Sequence, residues 1–505
     1  MIHEALSTAA ARFGDRVAIR TAKEDWSFGA LDAASRALAA RLSEAGVGRG
    51  DRVAIMSSNR IEFPVAVNAI SRIGAAAILL SPAWKDAEAS HGLELTKPCH
   101  AIADGDGVAI LRGHLGDEAV MDLDAAAMSE ILRVDASASA QDVAESPIGN
   151  PVAIEDDEAV LVFSSGTTGM PKAVRHSHAS LAAATEHWIA VLGLGPDDRF
   201  QISTPPSHIL GLLNLLAAAT AGATVRLHAR FDLDTELRSI QEDRMTLEMA
   251  VAPIVLAMAN HPELESFDLS SLRYIMWGAT PVSESVAEAV SAKAGVRFLP
   301  AYGASELPVL TCNPVERPHA WRLDSVGLPA PGVELRVVNL ETGAILPSGE
   351  TGEIQALSPS RMLGYLPEEA SQEVLDGDWY RTGDVGSIDA EGWVQITDRS
   401  KEMIKVSGFQ VAPAEVEAVL HSHPSVVDCA VFGVPDGRSG EAPVAAVQLD
   451  PASPVEPEIL TALVASKLAR YKHLRSIEII DLIPRLPSGK VLRRTLRDEW
   501  LRTNA

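Results

Sequence analysis

At Phe163 the chain changes character in one step. The apolar run Ala159-Val-Leu-Val-Phe163 passes directly into Ser164-Ser-Gly-Thr-Thr-Gly-Met-Pro-Lys172, a turn rich in hydroxyls and glycine that a lysine closes. A short apolar run bounded by such a turn predicts a buried strand, and similar runs alternate with Ala- and Leu-rich helical stretches. Residues 51–56 predict a strand and 62–74 a helix; a second region of this kind runs from about 158 to 299, with a helix over 284–294. Strands alternating with helices imply layered α/β structure. From 325 to 398 the pattern shifts to short strands around turn signals such as Glu341-Thr-Gly343 and Pro347-Ser-Gly349, which predicts a smaller β-rich module. The C-terminal part returns to mixed α/β, with apolar runs at 426–434 and 442–449.

A loop like 164–172 suits phosphates. Glycines let backbone N–H groups approach the oxygens, hydroxyls add donors and the lysine supplies charge. A P-loop NTPase needs Gly-x-x-x-x-Gly-Lys-Ser/Thr, whereas here two residues separate Gly169 from Lys172 and Ala173 follows the lysine, so Walker chemistry is excluded. Spacing by itself favours an ordinary tight turn over a phosphate cradle.

The 505 residues, 47% hydrophobic and 22% charged, suffice for a large folded enzyme of about three domain-sized units. A formal net charge of -25 argues against a nucleic-acid partner, because phosphate-backbone binding needs basic surface. Cys99, Cys312 and Cys429 lack the paired spacing of a zinc or redox motif and read as thiols of a reducing, cytoplasmic protein. Residues 1–20 hold no basic run followed by an apolar core, so no secretory signal is expected. The longest apolar stretch, 209–225, is interrupted by Asn214 and Thr220 and falls short of the roughly 20 residues a bilayer needs; it predicts a buried helix, not an integral membrane segment. Residues 135–144 predict a polar surface loop.

The segment Ser164-Ser-Gly-Thr-Thr-Gly-Met-Pro-Lys172 resembles the signature loop of the adenylate-forming (AMP-binding) enzymes: acyl-CoA synthetases, aryl-CoA ligases, peptide-synthetase adenylation domains and beetle luciferases. The resemblance continues in the family's order as Val174-Arg-His-Ser-His178, Pro205-Pro-Ser-His208, Trp277-Gly-Ala-Thr-Pro281, Tyr302-Gly-Ala-Ser-Glu306, Tyr380-Arg-Thr-Gly-Asp384, Asp398-Arg-Ser-Lys401 and Pro487-Ser-Gly-Lys490. It implies an α/β fold with a large N-terminal AMP-binding domain, residues 1–400, made of two α/β subdomains plus a β module. A small mobile α+β domain, residues 401–505, follows. The implied reaction is ATP-dependent activation of a carboxylic acid to an acyl-adenylate with release of pyrophosphate, then thioesterification to coenzyme A.

The first half-reaction joins two anions that repel each other in water, so positive charge and positioning must do most of the work. On the resemblance, Ser164, Ser165, Gly166, Thr167, Thr168, Gly169 and Lys172 hold the β- and γ-phosphates. Glu306 coordinates Mg²⁺ beside the α-phosphate, and Ser305, where threonine is usual, keeps a hydroxyl to donate to it. Adenine lies between Gly278-Ala279-Thr280 and the ring of Tyr302; Asp384 accepts from the ribose hydroxyls, Arg399 also reaches the ribose, and Gln410 contacts the adenylate. Lys490 bridges acid and α-phosphate, then leaves as the C-terminal domain rotates about Lys401. That rotation brings Ser407 and Gly408 to the pantetheine tunnel, and Arg230 contacts coenzyme A phosphates. Singly, each of these reads as an ordinary turn or surface residue; their order along the chain is what raises them.

The acyl pocket implied by the resemblance comprises His208, Ile209, Leu210, Trp277, Gly278, Gly303, Pro308 and Val309, mostly apolar. No aspartate near Pro205-Pro-Ser-His-Ile209 offers to pair with an α-ammonium, which disfavours amino acids and leaves fatty or aryl acids. Trp277 stands where small residues are common. Loading of a separate acyl carrier protein remains the alternative to coenzyme A, while a non-catalytic nucleotide binder is disfavoured because the nucleotide contacts and Lys490 are all present.

Overall fold

In the computed structural model, which describes residues 1–126, 128, 154–164, 171–278, 284–407, 409–485 and 490–504, the run before the loop is the strand Glu158–Ser164. The strand Lys172–Ser177 returns antiparallel beside it, with Ser164 opposite Lys172. Residues 165–170 between them lie outside the described residues, as do 135–144.

The Glu158–Ser164 strand belongs to a seven-stranded sheet whose order is Gly364–Leu366, Lys172–Ser177, Glu158–Ser164, Ala76–Leu80, Arg52–Met56, His100–Ala103 and Val120–Asp122. Its central strands pair in parallel, and Ile55, Ile78, Leu79, Val160 and Leu161 are fully buried. Helices cover a parallel sheet on both faces, so its strands read as continuous apolar runs rather than alternating ones. A second, nine-stranded sheet has a parallel centre formed by Phe298–Tyr302, Tyr274–Trp277, Leu247–Ala250, Arg199–Ile202 and Thr224–Leu227. Tyr302, Trp277 and the Pro205–His208 segment stand at or just beyond carboxyl ends of these strands, where open α/β sheets bind ligands.

The apolar stretch 209–225 divides into the helix Ile209–Ala221 and, after Gly222 at φ +76°, the strand Thr224–Leu227. Among the described residues no helix is long and apolar enough to cross a membrane. Cys99 is exposed, whereas Cys312 and Cys429 are buried free thiols whose pKa burial raises, which leaves them unreactive.

The β-rich region forms its own antiparallel sheet from Glu334–Val338, Gly352–Leu357, Leu375–Asp376, Trp379–Ile388 and Val394–Arg399, but it is not self-contained. Leu328–Pro329 joins the edge of the nine-stranded sheet, and Gly364–Leu366 pairs antiparallel with Lys172–Ser177 to extend the seven-stranded one. Edge strands of two or three residues carry no periodicity, so sequence alone does not reveal them. Beyond Arg399 a further sheet, with long strands Val426–Asp436 and Gly440–Leu449, carries the helices Pro413–His421, Pro457–Lys467 and Arg493–Asn504 and has apolar clusters of its own.

Candidate active site

The strand Phe298–Tyr302 ends in a tight turn that fixes Ser305 and Glu306. The Ala304 N–H donates to Leu307 O at 2.9 Å and the Leu310 N–H to Tyr302 O at 2.9 Å. A Cβ on Gly303 would lie 2.2 Å from Pro308 O, so only glycine permits the turn to close this tightly. From the neighbouring sheet, His176 Nε2 donates to Ser305 O at 2.8 Å, the carbonyl being able only to accept. His176 is fully buried and pushed down to about 4 by that burial, so it is neutral at pH 7 and acts as a fixed brace.

Glu306 is buried, and the Tyr365 hydroxyl donates to its Oε1 at 2.5 Å. The Lys172 ammonium lies 5.3 Å from the centre of the same tyrosine ring. Neither Tyr365 nor a role for His176 emerged from the sequence. His176 stands inside a quoted motif, and the available signal for Tyr365 was scarcity: of the chain's five tyrosines, Tyr302, Tyr365 and Tyr380 all gather here.

The second half of the site is built by register. Asp384 and Arg399 are opposed on the antiparallel strands Trp379–Ile388 and Val394–Arg399, and Arg399 Nε donates to Asp384 Oδ1 at 2.9 Å. The Tyr302 hydroxyl donates to Asp384 Oδ2 at 2.5 Å. Gly383, at φ +71°, makes the bend that lets the Asp384 N–H donate to Thr382 Oγ1 at 3.0 Å. Each Asp384 oxygen keeps a second lone pair, so a vicinal diol remains a possible donor to it. Burial, then the charge of Asp384, holds the Tyr302 phenol neutral, and Asp384 chiefly raises Arg399 so that it stays cationic.

Lys490 comes to this place from the far end of the chain. Burial first, and then the charge of Arg399, lower its pKa, while Glu402 and Asp384 act in the opposite sense; Glu402 Oε1 lies 4.0 Å from its ammonium. The structure thus brings Tyr302, Glu306, Asp384, Arg399, Lys172 and Lys490 to one region. Ser164 ends the strand Glu158–Ser164 and Gly278 follows the strand Tyr274–Trp277, where a Cβ would lie 3.2 Å from Ala301 O.

Residues 6–366 match the AMP-binding enzyme family, and 415–490 match the AMP-binding enzyme C-terminal domain. The chain belongs to the AMP-binding enzyme family. It is 34% identical to 4-coumarate–CoA ligase-like 9 of Oryza sativa subsp. japonica over 99% of this chain and 93% of that protein. ATP-bound MatB from Rhodopseudomonas palustris aligns with a TM-score of 0.89 at 26% identity over the whole of both chains. The amide bond synthetase McbA from Marinactinospora thermotolerans aligns at 0.87 and 30% identity over 99% of this chain and all of that one. As a member of the family, the chain is an AMP-forming acid:CoA ligase that uses ATP, Mg²⁺ and coenzyme A.

The donor set fits magnesium. Among the described residues no group of three or more His, Cys, Asp or Glu converges, and Mg²⁺ commonly takes one or two carboxylates plus substrate phosphates and water. Glu306, with Oε1 given to Tyr365, has Oε2 to offer such an ion.

His208 caps the helix Ile209–Ala221 without a side-chain bond to it, and burial lowers its pKa, which favours a neutral imidazole. Ile209, Leu210 and Pro308 are half-buried and Val309 is buried. Trp277 is buried and packs edge-to-face on Phe298 at 6.2 Å within the core that also holds Ile254 and Val290. Arg230, Lys401, Ser407 and Gln410 are exposed, Ser407 at φ +51° in the turn between Ile404–Val406 and Phe409–Val411. Ser165, Gly166, Thr167, Thr168, Gly169, Ala279, Thr280 and Gly408 lie outside the described residues.

Proposed function

We propose that this ligase activates an apolar monocarboxylic acid, aryl or fatty rather than α-amino, at the site between Glu306, Asp384 and Lys490. The observation that carries the reading is the approach of Lys490, from beyond residue 485, to the Asp384–Arg399 pair. Asp384 and Arg399 hold the ribose, Tyr302 backs the adenine, and Lys172 with its loop neutralises the β- and γ-phosphates. Glu306 takes Mg²⁺ through Oε2 and Ser305 donates to the α-phosphate. The substrate carboxylate then attacks the α-phosphorus, forming the acyl–O–P bond as the bond to pyrophosphate breaks. Lys490 offsets the charge shared between carboxylate and α-phosphate in the transition state.

Thioester formation needs that charge withdrawn and a thiol admitted. Residues 1–400 and 401–505 act as two bodies hinged at Lys401, whose exposure leaves it room to turn. The exposed Ser407 turn, with Gly408, swings toward the adenylate as Lys490 departs, and Arg230 receives the phosphates of coenzyme A. The similarity to a 4-coumarate–CoA ligase-like protein supports an aryl acid, and the absence of an acidic side chain at residues 205–209 disfavours an α-amino acid.

The test is ATP–pyrophosphate exchange across aryl, fatty, dicarboxylic and amino acids, followed by product analysis with coenzyme A. Aryl or fatty acids should give the fastest exchange and a CoA thioester. Fastest exchange with free α-amino acids would overturn the acid class. An amine or a carrier protein in place of coenzyme A, in the same assay, shows whether the adenylate also passes to another acceptor, such as that implied by the name of the Marinactinospora relative.

A further inference from the structure

Both halves of the phosphate site touch one side chain, Tyr365. It stands on Gly364–Leu366, opposite Val174 of the strand that Lys172 opens, so the β module reaches across to the phosphate loop. Its N–H donates to Ser371 Oγ at 2.8 Å, and the Tyr380 phenol lies beside its own as a second donor.

A carboxylate that binds a metal through one oxygen must have the other held, or it rotates. Here the Tyr365 hydroxyl holds Glu306 Oε1 at 2.5 Å, and Oε2 remains. The ring has a second effect. Lys172 lies 5.3 Å from its centre, in range for the attraction between a cation and an aromatic face. The ring and the exposed Glu373 carboxylate, 4.0 Å from the ammonium, both draw Lys172 away from the buried Glu306, with which a direct pair would remove both from the nucleotide.

We propose that Tyr365 is a positioning residue for the metal–nucleotide complex: its hydroxyl aims one oxygen of Glu306 at Mg²⁺, and its ring keeps Lys172 off Glu306 and free for the phosphates. This rests on the reading of Glu306 as the metal ligand. Partners that orient a metal ligand are commonly worth about 10- to 100-fold in metal affinity.

Calorimetric titration with ATP, with Mg²⁺ and again with a chelator, separates the two effects. Tyr365→Phe keeps the ring and should weaken Mg·ATP about tenfold while leaving metal-free ATP binding and the KM for the acid unchanged. Tyr365→Leu should weaken metal-free ATP as well, because Lys172 loses its platform. Glu306→Gln is the reference. If it binds Mg·ATP as the native protein does, the metal assignment itself fails; if it loses Mg·ATP while Tyr365→Phe does not, only the Tyr365 proposal fails. Equal loss by Tyr365→Phe with and without metal also overturns the proposal. Should Tyr365→Leu not fold, as melting reports, the near-isosteric Phe variant carries the decision.

Discussion

Lys490 and Glu402 face each other at 4.0 Å, one residue past Lys401. The other oxygen of Glu402 is held by Arg493, which Glu417 and Val431 O anchor in turn. Glu402 opposes the lowering of the Lys490 pKa that burial and Arg399 impose. On the proposed mechanism adenylation needs the ammonium, so Glu402→Gln, which keeps an acceptor for Arg493 but removes the charge, should lower that pKa further. The alkaline limb of pyrophosphate exchange should shift to lower pH, while thioester formation from supplied acyl-adenylate keeps its profile. An unmoved limb would show that Glu402 is not the partner that matters.

On the proposed mechanism Lys490 belongs to one half-reaction. Removing a charge that stabilises a transition state costs on the order of 10² to 10³ in rate, about 3–4 kcal/mol. Lys490→Ala should lose acyl-adenylate formation by that factor and still convert supplied acyl-adenylate to thioester. Single-turnover measurements of the two steps decide it, and equal loss in both contradicts the assignment.

Gly303 sets the turn before Glu306. Its missing Cβ would meet Pro308 O at 2.2 Å and Pro308 C at 2.7 Å, backbone atoms that have no rotamer to change. Gly303→Ala must open the turn, and overpacking of this kind costs about 1–3 kcal/mol. We expect a lowered melting temperature together with a disproportionate loss of Mg·ATP affinity, because Ser305 and Glu306 shift with the chain. A variant with native melting and native Mg·ATP binding would show that the turn has slack.

The sequence resolves what is local. The strand Glu158–Ser164 and the helix Glu284–Ala294 follow from apolar runs and helix-forming composition that act over a few residues. The motifs place Asp384 and Arg399 each at the ribose, but their contact with one another depends on the pairing register of two strands and is not legible in the sequence. Tyr365 was not legible at all: a three-residue edge strand has no period, and its partner Lys172–Ser177 lies nearly two hundred residues earlier. Trp277 shows the converse limit. Its motif places it at the acyl pocket, and its ring also packs edge-to-face on Phe298, a contact between neighbouring strands that a motif does not encode.

Glu236, on the helix Leu233–Asp243, and Glu248, on the strand Leu247–Ala250, are 2% and 3% exposed. Gln201 Nε2 donates to Glu248 Oε2 at 2.6 Å, but neither oxygen of Glu236 finds hydrogen-bond geometry, although Ser203 is near enough to oppose the shift. His228, which bonds Gln201 Oε1 at 2.9 Å, is pushed down to about 4, mainly by burial, and so supplies no positive charge at pH 7. Burial, and for Glu236 also the charge of Glu248, raises both carboxyls above their ordinary 4.5. The folded pair retains protons that the unfolded chain releases above about 4.5, so its contribution to stability is intact below that pH and is lost as pH rises through the raised values. Glu236→Leu removes the unpaired carboxyl and should stabilise the protein by about 1–3 kcal/mol at pH 8, with little change at pH 4.5. Urea titrations at pH 4.5, 6.5 and 8 measure this directly: a variant whose stability tracks the native protein in parallel at all three would mean that the pair is already satisfied.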